Sequence, residues 1–183
     1  METSKIIEQC KSGNPIAQSI LFNTHYRQMY NLSMRILSNH HDVEDVFVIS
    51  FTRIFGNIRK FEYHGDHSLN RWIKTIVIHE SIRFLKAKNK IGFDEEWSES
   101  ELHRIPDAEP DVNGIDVEEV YSIIGTMPEG YRIVFNLFAL EGYSHLEISE
   151  LLNITESTSK SQLRKARIHI IEKMKKRKQN GNS

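Results

Sequence analysis

Residues 141–167, EGYSHLEISELLNITESTSKSQLRKAR, decide the fold of the second half of this chain. Ser144 and Glu147 have the spacing of a capping box, in which each side chain bonds to the backbone amide of the other and starts a helix. Asn153 stands where the chain turns, because asparagine tolerates the left-handed backbone conformation. Thr155 then caps a longer basic helix. A short capped helix, a three-residue turn and a longer helix predict a helix-turn-helix that reads DNA.

The final helix of this motif predicts a DNA-contacting face. Leu163, Ala166 and Ile170 recur at helical spacing and indicate the buried side. Hydroxyl groups near the start of a recognition helix allow close approach to base edges, and the cations that follow reach phosphates. The predicted contacts on the outward arc and its edges are Ser157, Thr158, Lys160, Ser161, Arg164, Lys165 and Arg167. The alternative is an ordinary basic helix that packs against its neighbours.

The first half of the chain predicts a helical bundle. Residues 16–37 have apolar side chains at spacings of three and four, and a second amphipathic helix begins near Asp42, its N-cap candidate. Ile49 lies on the face of that helix opposite the core stripe, close to Asp45. An apolar side chain within an acidic patch is a candidate contact surface, although single exposed apolar residues are common. The core stripe is formed by Val43, Phe47, Phe51, Ile54 and Ile58.

A polar loop over residues 62–68 precedes a third predicted helix, residues 69–88, which is apolar around most of its circumference. Aromatic side chains in and beside the loop offer flat surfaces on which unpaired bases can stack, and the basic side chains can hold phosphates. The alternative is a buried helix, with Trp72 in the core and basic side chains that reach out to solvent.

Charge divides the chain into three parts. Residues 1–92 have a net charge of +5, residues 93–119 a net charge of −10, and residues 120–183 a net charge of +4. The acidic part contains Pro106 and Pro110 and shows no sustained periodicity. Such a composition predicts an extended, self-repelling linker between two mildly basic helical modules.

The composition also excludes several classes of protein. The single cysteine, Cys10, excludes a disulfide framework, and no apolar run is long enough for a membrane span or a secretory leader. We therefore expect a cytoplasmic protein that does not insert into a membrane.

The sequence also lacks motifs typical of enzymes. His79-Glu80 is not a zinc-protease motif, because the position that would hold the second histidine is Arg83. Without metal-ligand spacing or a glycine-rich phosphate loop, we expect no enzyme activity, cofactor or metal.

Three stretches occur together in order and spacing: residues 42–46 (DVEDV), residues 72–77 (WIKTIV) and residues 141–166. On these motifs the chain resembles the bacterial RNA polymerase sigma factors of the extracytoplasmic-function (ECF) group of the sigma-70 family, over roughly residues 10–175. The third stretch is similar to the form found in Bacteroidetes members of the group.

The resemblance implies two small helical domains and a flexible acidic linker. Region 2 would occupy residues 1–92, the linker residues 93–118, and region 4, with its helix-turn-helix, residues 119–183. In this family region 2 binds the polymerase clamp and melts the minus-ten element, region 4 reads the minus-thirty-five element, and the linker threads toward the RNA exit path. The implied partners are core RNA polymerase, through the beta-prime clamp helices and the beta flap, promoter DNA and an anti-sigma factor.

The same resemblance implies site residues. Those for the polymerase are Asp42, Glu44, Asp45 and Ile49, and those for the minus-ten element are Phe61, Tyr63, His64, Arg71, Trp72 and Lys74. The outward arc of the final helix supplies the minus-thirty-five contacts. The chain departs from the family in having Val48-Ile49 where glutamine and an acid are usual. Asn153 and Ser157 also replace glycines that are common in this motif.

Two other functions stay open at this point. The chain could be a two-domain helix-turn-helix regulator that acts without polymerase, with the first bundle as a dimerisation or sensor module. It could also be a decoy that binds polymerase or an anti-sigma protein and starts no transcripts, which Val48-Ile49 favours. A polymerase pull-down separates the first of these from a sigma factor, and run-off transcription separates the second.

Overall fold

The computed structural model describes residues 2–88 and 117–180, with side chains described over residues 119–177 in the second part. The chain divides into two compact units, Met1–Lys88 and Asn89–Ser183. Every regular element within the described residues is a helix, which confirms the predicted all-α fold. None of these helices has the length and apolar character needed to cross a membrane. The predicted acidic linker lies outside the described residues, except for its last two positions, which begin a helix.

Four helices build the first unit. Their bounds are Thr3–Lys11 for α1, Pro15–Leu37 for α2, His40–Asn57 for α3 and Asp66–Ala87 for α4, and a 3-10 turn, Ile58–Lys60, follows α3. Helices α2, α3 and α4 each pack against the other two, and α1 packs against α2. The predicted core stripe of α3 is buried along its whole length, including Ile58 in the 3-10 turn, so this prediction is confirmed.

Asparagine side chains begin two of these helices. The Asn14 side chain accepts hydrogen bonds from the amides of Ile16 and Ala17, at 2.9 and 3.2 Å, and starts α2. The Asn39 side chain accepts a hydrogen bond from the Asp42 amide at 3.1 Å and starts α3. The prediction of Asp42 as the N-cap is therefore wrong. Asn39 takes that position because the helix begins at His40, so Asp42 lies inside the first turn.

The loop between α3 and α4 is shorter than predicted. Helix α4 begins at Asp66, three residues before the predicted start, so the loop is confined to the few residues from Phe61 to Gly65. Gly65 has a φ of 101°, which side-chain-bearing residues rarely adopt. The glycine therefore lets the chain turn directly into the helix. Leu69, Ile73 and Val77 of α4 then face the core.

Four further helices lie in the described part of the second unit. Their bounds are Val117–Gly125 for α5, Glu129–Phe135 for α6, His145–Leu152 for α7 and Glu156–Asn180 for α8, and a π-helical turn, Asn136–Leu140, extends α6. The long helix α8 packs against α5, α6 and α7. The buried side chains of one core cluster are Ile123, Ile124, Met127, Ala166, Ile170 and Met174.

The local signals of the helix-turn-helix are confirmed. The Ser144 hydroxyl accepts a hydrogen bond from the Glu147 amide at 3.2 Å, and the Glu147 carboxylate accepts one from the Ser144 amide at 2.8 Å. Asn153 ends α7 with a left-handed backbone, at a φ of 59°. The Thr155 hydroxyl accepts a hydrogen bond from the Thr158 amide at 3.0 Å and starts α8. Helices α7 and α8 are thus the two helices of the predicted motif.

Candidate functional site: three interfaces on two units

The first candidate interface is the exposed face of α3. The carboxylates of Glu44 and Asp45 are exposed, and one turn later Val48 is 70% exposed and Ile49 is 39% exposed. The orientation predicted for Ile49, away from the core, agrees with this geometry. Two acids beside two apolar side chains form a mixed surface, because apolar area favours burial and the carboxylates favour a basic partner. We call Glu44, Asp45, Val48 and Ile49 the α3 face.

Asp42 does not belong to the α3 face. Its side chain is buried and forms an ion pair with the ammonium group of Lys88, just after the end of α4. The expectation that Asp42 contacts a partner directly is therefore not supported by its position. A buried carboxylate needs such a counter-charge, because its removal from water is otherwise costly. Asp42 connects the start of α3 to the end of α4.

We expect Asp42→Asn to lower the free energy of unfolding by about 1–2 kcal/mol, because the ion pair between the buried Asp42 side chain and the Lys88 ammonium is lost. Urea denaturation measures this change. The matched control is Asp45→Asn, one helical turn away and exposed, for which a change within about 0.5 kcal/mol is expected. Equal stability of the Asp42→Asn and wild-type proteins would contradict the structural role.

The second candidate interface is an open groove of about 380 Å³ between α3 and α4. Its wall combines aromatic side chains with cations and one buried carboxylate. The lining residues are Arg53, Asn57, Lys60, Phe61, Trp72, Thr75, Ile76, His79, Glu80 and Arg83. Burial lowers the pKa of the His79 imidazole, and the nearby Arg83 lowers it further, which favours the neutral ring. The groove therefore has a flat aromatic side and a cationic rim.

Two of the predicted minus-ten residues meet in this groove. The rings of Phe61 and Trp72 stack with centroids 4.6 Å apart and an interplanar angle of 24°. Phe61 is buried beneath Trp72, so the expectation that Phe61 itself offers a free face to a base is wrong. Trp72 is half-buried and lines the groove, so it is neither a core residue nor a loose surface side chain.

The other predicted minus-ten residues do not line the groove. His64 and Arg71 are exposed, and Lys74 is half-buried. The Tyr63 hydroxyl donates a hydrogen bond to Asp66 at 2.6 Å, and this bond raises the pKa of the phenol. Tyr63 thereby holds the loop to the start of α4.

Most residues on the rim of the groove were not among the predicted minus-ten contacts. Arg53 belongs to α3, whereas His79, Glu80 and Arg83 belong to α4 and lie within about one turn of one another. The spacing of His79 and Arg83, four residues apart on one helix face, is visible in the sequence. Their convergence with Arg53 is not, because it depends on how the two helices pack.

The third candidate interface is the start of α8. Ser157 and Lys160 are exposed, and Arg164 and Arg167 are half-buried. A carboxylate of Glu156 lies 3.7 Å from the Lys160 ammonium, one turn earlier on the same helix. These four side chains share the accessible part of the predicted outward arc.

Three other residues of the predicted arc are buried, so their predicted orientation is wrong. The Thr158 amide is bonded to Thr155 within the cap, and the Ser161 hydroxyl donates to the Thr158 carbonyl oxygen at 2.9 Å. The Lys165 ammonium lies 5.7 Å from the centre of the Tyr131 ring of α6. The physical reason is that α8 packs against three helices, so more than one side of it is covered.

His145 connects the two helices of the motif. Its ring stacks on Phe138 with centroids 4.5 Å apart, and one ring nitrogen lies 2.9 Å from the Ser159 hydroxyl. Burial lowers the pKa of this imidazole, and the positive charge of Lys160 lowers it further. The neutral ring thus fixes the position of α8 relative to α7. No group of three or more metal-ligating side chains occurs among the described residues.

Two family models match the chain, one for each unit. The model of "Sigma-70 region 2" matches residues 21–91, and that of "Sigma-70, region 4" matches residues 117–170. The first match contains the α3 face and the groove. The second contains the helix-turn-helix and the start of α8.

Characterised relatives match over nearly the whole chain. The ECF RNA polymerase sigma factor SigW of Bacillus subtilis is 28% identical over 91% of this chain and 94% of its own length. The ECF RNA polymerase sigma-E factor of Haemophilus influenzae is 22% identical over 92% of this chain and 93% of its own length. The similarity to Bacteroidetes members stays a prediction.

The fold also matches a solved structure, that of CnrH in complex with the cytosolic domain of CnrY. The TM-score is 0.50 at 18% sequence identity, and the match covers 93% of this chain and 95% of the other. At this identity the similarity concerns the fold alone.

Proposed function

Because the chain belongs to the ECF group of the sigma-70 family, we propose that its two units divide the tasks of promoter-specific transcription initiation. The chain is an initiation factor that works with core RNA polymerase and promoter DNA, and it is not itself a catalyst. Residues 1–92 act as region 2, residues 93–118 as the acidic linker and residues 119–183 as region 4. The observation that supports this division is the pairing of a cationic aromatic groove in one unit with a helix-turn-helix in the other.

The α3 face is the proposed docking surface for the beta-prime clamp helices. Glu44 and Asp45 attract a basic partner, and the two apolar side chains beside them become buried on binding. Val48 was not among the predicted contacts, yet its 70% exposure makes it the most accessible apolar side chain of this face. The proposed docking surface therefore includes Val48 and excludes Asp42.

The groove is the proposed site for an unpaired base of the minus-ten element. Every base has a π-face, and stacking on an aromatic side chain holds a base that has left the duplex. Trp72 supplies that surface, since its other face is supported by the buried Phe61 ring. The rim cations Arg53, Lys60 and Arg83 attract the phosphates on either side of the base.

We expect Trp72→Ala to reduce promoter opening by about 5- to 150-fold, because a stacked base is worth about 1–3 kcal/mol. Permanganate footprinting of the melted strand, with holoenzyme assembled from the full chain, measures this effect. The matched control is Trp72→Tyr, which keeps an aromatic face and should retain most of the opening. Thermal unfolding of both variants separates the loss of Phe61 packing from the loss of base stacking. Normal opening by a folded Trp72→Ala protein would exclude the groove.

The start of α8 is the proposed reader of the minus-thirty-five element. Ser157 lies in the first turn of the recognition helix, the part that enters the major groove in such motifs. Lys160, Arg164 and Arg167 have long side chains that reach the phosphates on the groove walls. The buried members of the predicted arc are not direct contacts in this arrangement.

The chain is further proposed to act in the cytoplasm, where polymerase and DNA are, and to be held inactive by an anti-sigma factor. The second candidate function is that of a decoy that binds polymerase without initiating transcription. The exposed apolar pair Val48-Ile49, in place of polar residues, favours it. Run-off transcription with core enzyme distinguishes the sigma factor from the decoy. Transcripts that start at a defined promoter would exclude the decoy, and polymerase binding without transcripts would support it.

A further inference from the structure

A buried carboxylate at the edge of the groove holds two arginines. The Glu80 Oε1 atom accepts a hydrogen bond from Arg83 Nη1 at 2.8 Å and lies 3.0 Å from Arg53 Nη1. The Glu80 side chain is only 6% exposed, whereas those of Arg53 and Arg83 are 48% and 60% exposed. The carboxylate therefore lies beneath two guanidinium groups that both remain accessible to a ligand in the groove.

The charges of this cluster favour an anion. Glu80 carries one negative charge and the two arginines carry two positive charges, so the three groups together have a net charge of +1. Each guanidinium has five N–H donors, far more than one carboxylate oxygen can accept. A phosphodiester carries one negative charge and two free acceptor oxygens, and it pairs well with arginine in geometry and charge.

We propose that Glu80 is a positioning residue that holds Arg53 and Arg83 as a two-armed clamp on one phosphodiester of the melted strand. This inference rests on the proposed function of the groove as the site for an unpaired base. Trp72 and the two arginines line the same groove, so a base stacked on Trp72 brings its own backbone to the rim. Without Glu80 the two like charges repel each other and their side chains sample many conformations.

A purely structural role for Glu80 is the competing explanation, because the cluster also connects α3 to α4. The direction in which a Glu80 substitution changes DNA affinity distinguishes the two explanations. Glu80→Gln removes a negative charge next to the strand, so simple electrostatics predicts tighter binding. The clamp predicts weaker binding, because the arginines lose their common anchor.

The test measures binding of fluorescein-labelled dT12 to holoenzyme assembled from the full chain and core polymerase, by anisotropy at several salt concentrations. For Glu80→Gln we expect about fivefold weaker binding, the scale of one lost charge-assisted contact at an accessible site. The slope of log affinity against log salt concentration should fall by about 0.7, the value of one phosphate on a single strand. The matched control is Glu8→Gln, which removes a carboxylate paired with Lys11 at 2.9 Å on α1 and should change neither quantity.

Two further variants keep the proposal testable. Glu80→Asp retains the charge and should recover part of the affinity, and Arg83→Gln should weaken binding as Glu80→Gln does. If Glu80→Gln does not fold, dT12 binding is compared for Arg53→Gln, Arg83→Gln and the variant that carries both changes. If both arginines hold one phosphate, the double variant should lose less binding free energy than the sum of the two single losses.

The possible results distinguish failure of the Glu80 clamp from failure of the groove as the site for an unpaired base. Equal or tighter dT12 binding by folded Glu80→Gln, with Trp72→Ala weakened, would overturn the clamp and leave the groove function in place. Full affinity of Trp72→Ala would overturn the groove function and the clamp with it. Weaker binding and a lower salt slope for Glu80→Gln, against an unchanged Glu8→Gln control, would support the clamp.

Discussion

Asp45→Arg should weaken binding of the chain to core RNA polymerase by about tenfold or more, with no change in helix content. Asp45 is exposed in the middle of the α3 face and makes no contribution to the core. Charge reversal replaces attraction with repulsion toward a basic partner, and a central interface residue can cost about 2 kcal/mol or more. Titration of labelled chain with core enzyme measures the affinity, and circular dichroism measures the helix content.

The control for this prediction is Glu8→Arg, an equal change of charge at an exposed position of α1. It should leave polymerase binding within about twofold of wild type, as expected for an exposed charge outside an interface. A companion variant, Ile49→Glu, introduces the acid that the family usually has at this point, and binding should be equal or tighter. Unaltered polymerase affinity of folded Asp45→Arg would show that the α3 face is not the docking surface.

Replacing Lys160 and Arg164 together by alanine should depress transcription from every promoter that the chain serves. Both residues are accessible near the start of α8, where a recognition helix lies against the DNA backbone. Phosphate contacts carry no sequence information, so their loss weakens all sites alike. The salt slope of duplex binding by holoenzyme should fall by about 2, since each phosphate contact contributes about 0.9.

The control is the double variant Lys175→Ala with Lys176→Ala, which removes the same charge from the far end of α8. Both lysines are exposed, and fifteen residues of helix place Lys175 about 22 Å along the axis from Lys160. Promoter output and salt slope should stay close to wild type. If the Lys160 and Arg164 pair behaves like this control, the assignment of α8 to the DNA groove is wrong.

Much of the candidate site could be predicted because its signals are local. The capping box of Ser144 and Glu147, the left-handed Asn153 and the stripe from Val43 to Ile58 all depend on neighbours a few residues away. The exposure of Ile49 follows from the same helical periodicity. The family resemblance was accessible for the same reason, since its motifs are short and occur in order.

The sequence by itself therefore indicated a helical fold in two modules, the buried stripe of α3 and the family to which the chain belongs. Only the tertiary structure decided which polar side chains remain accessible. Asp42 is buried where helices pack, and Lys88, from the end of another helix, neutralises it. Ser161 is buried because its long helix packs against three others. Glu80 meets Arg53 only across two packed helices. Periodicity assigns a side chain to a face of its own helix, whereas burial and ion pairing depend on which other helix covers that face.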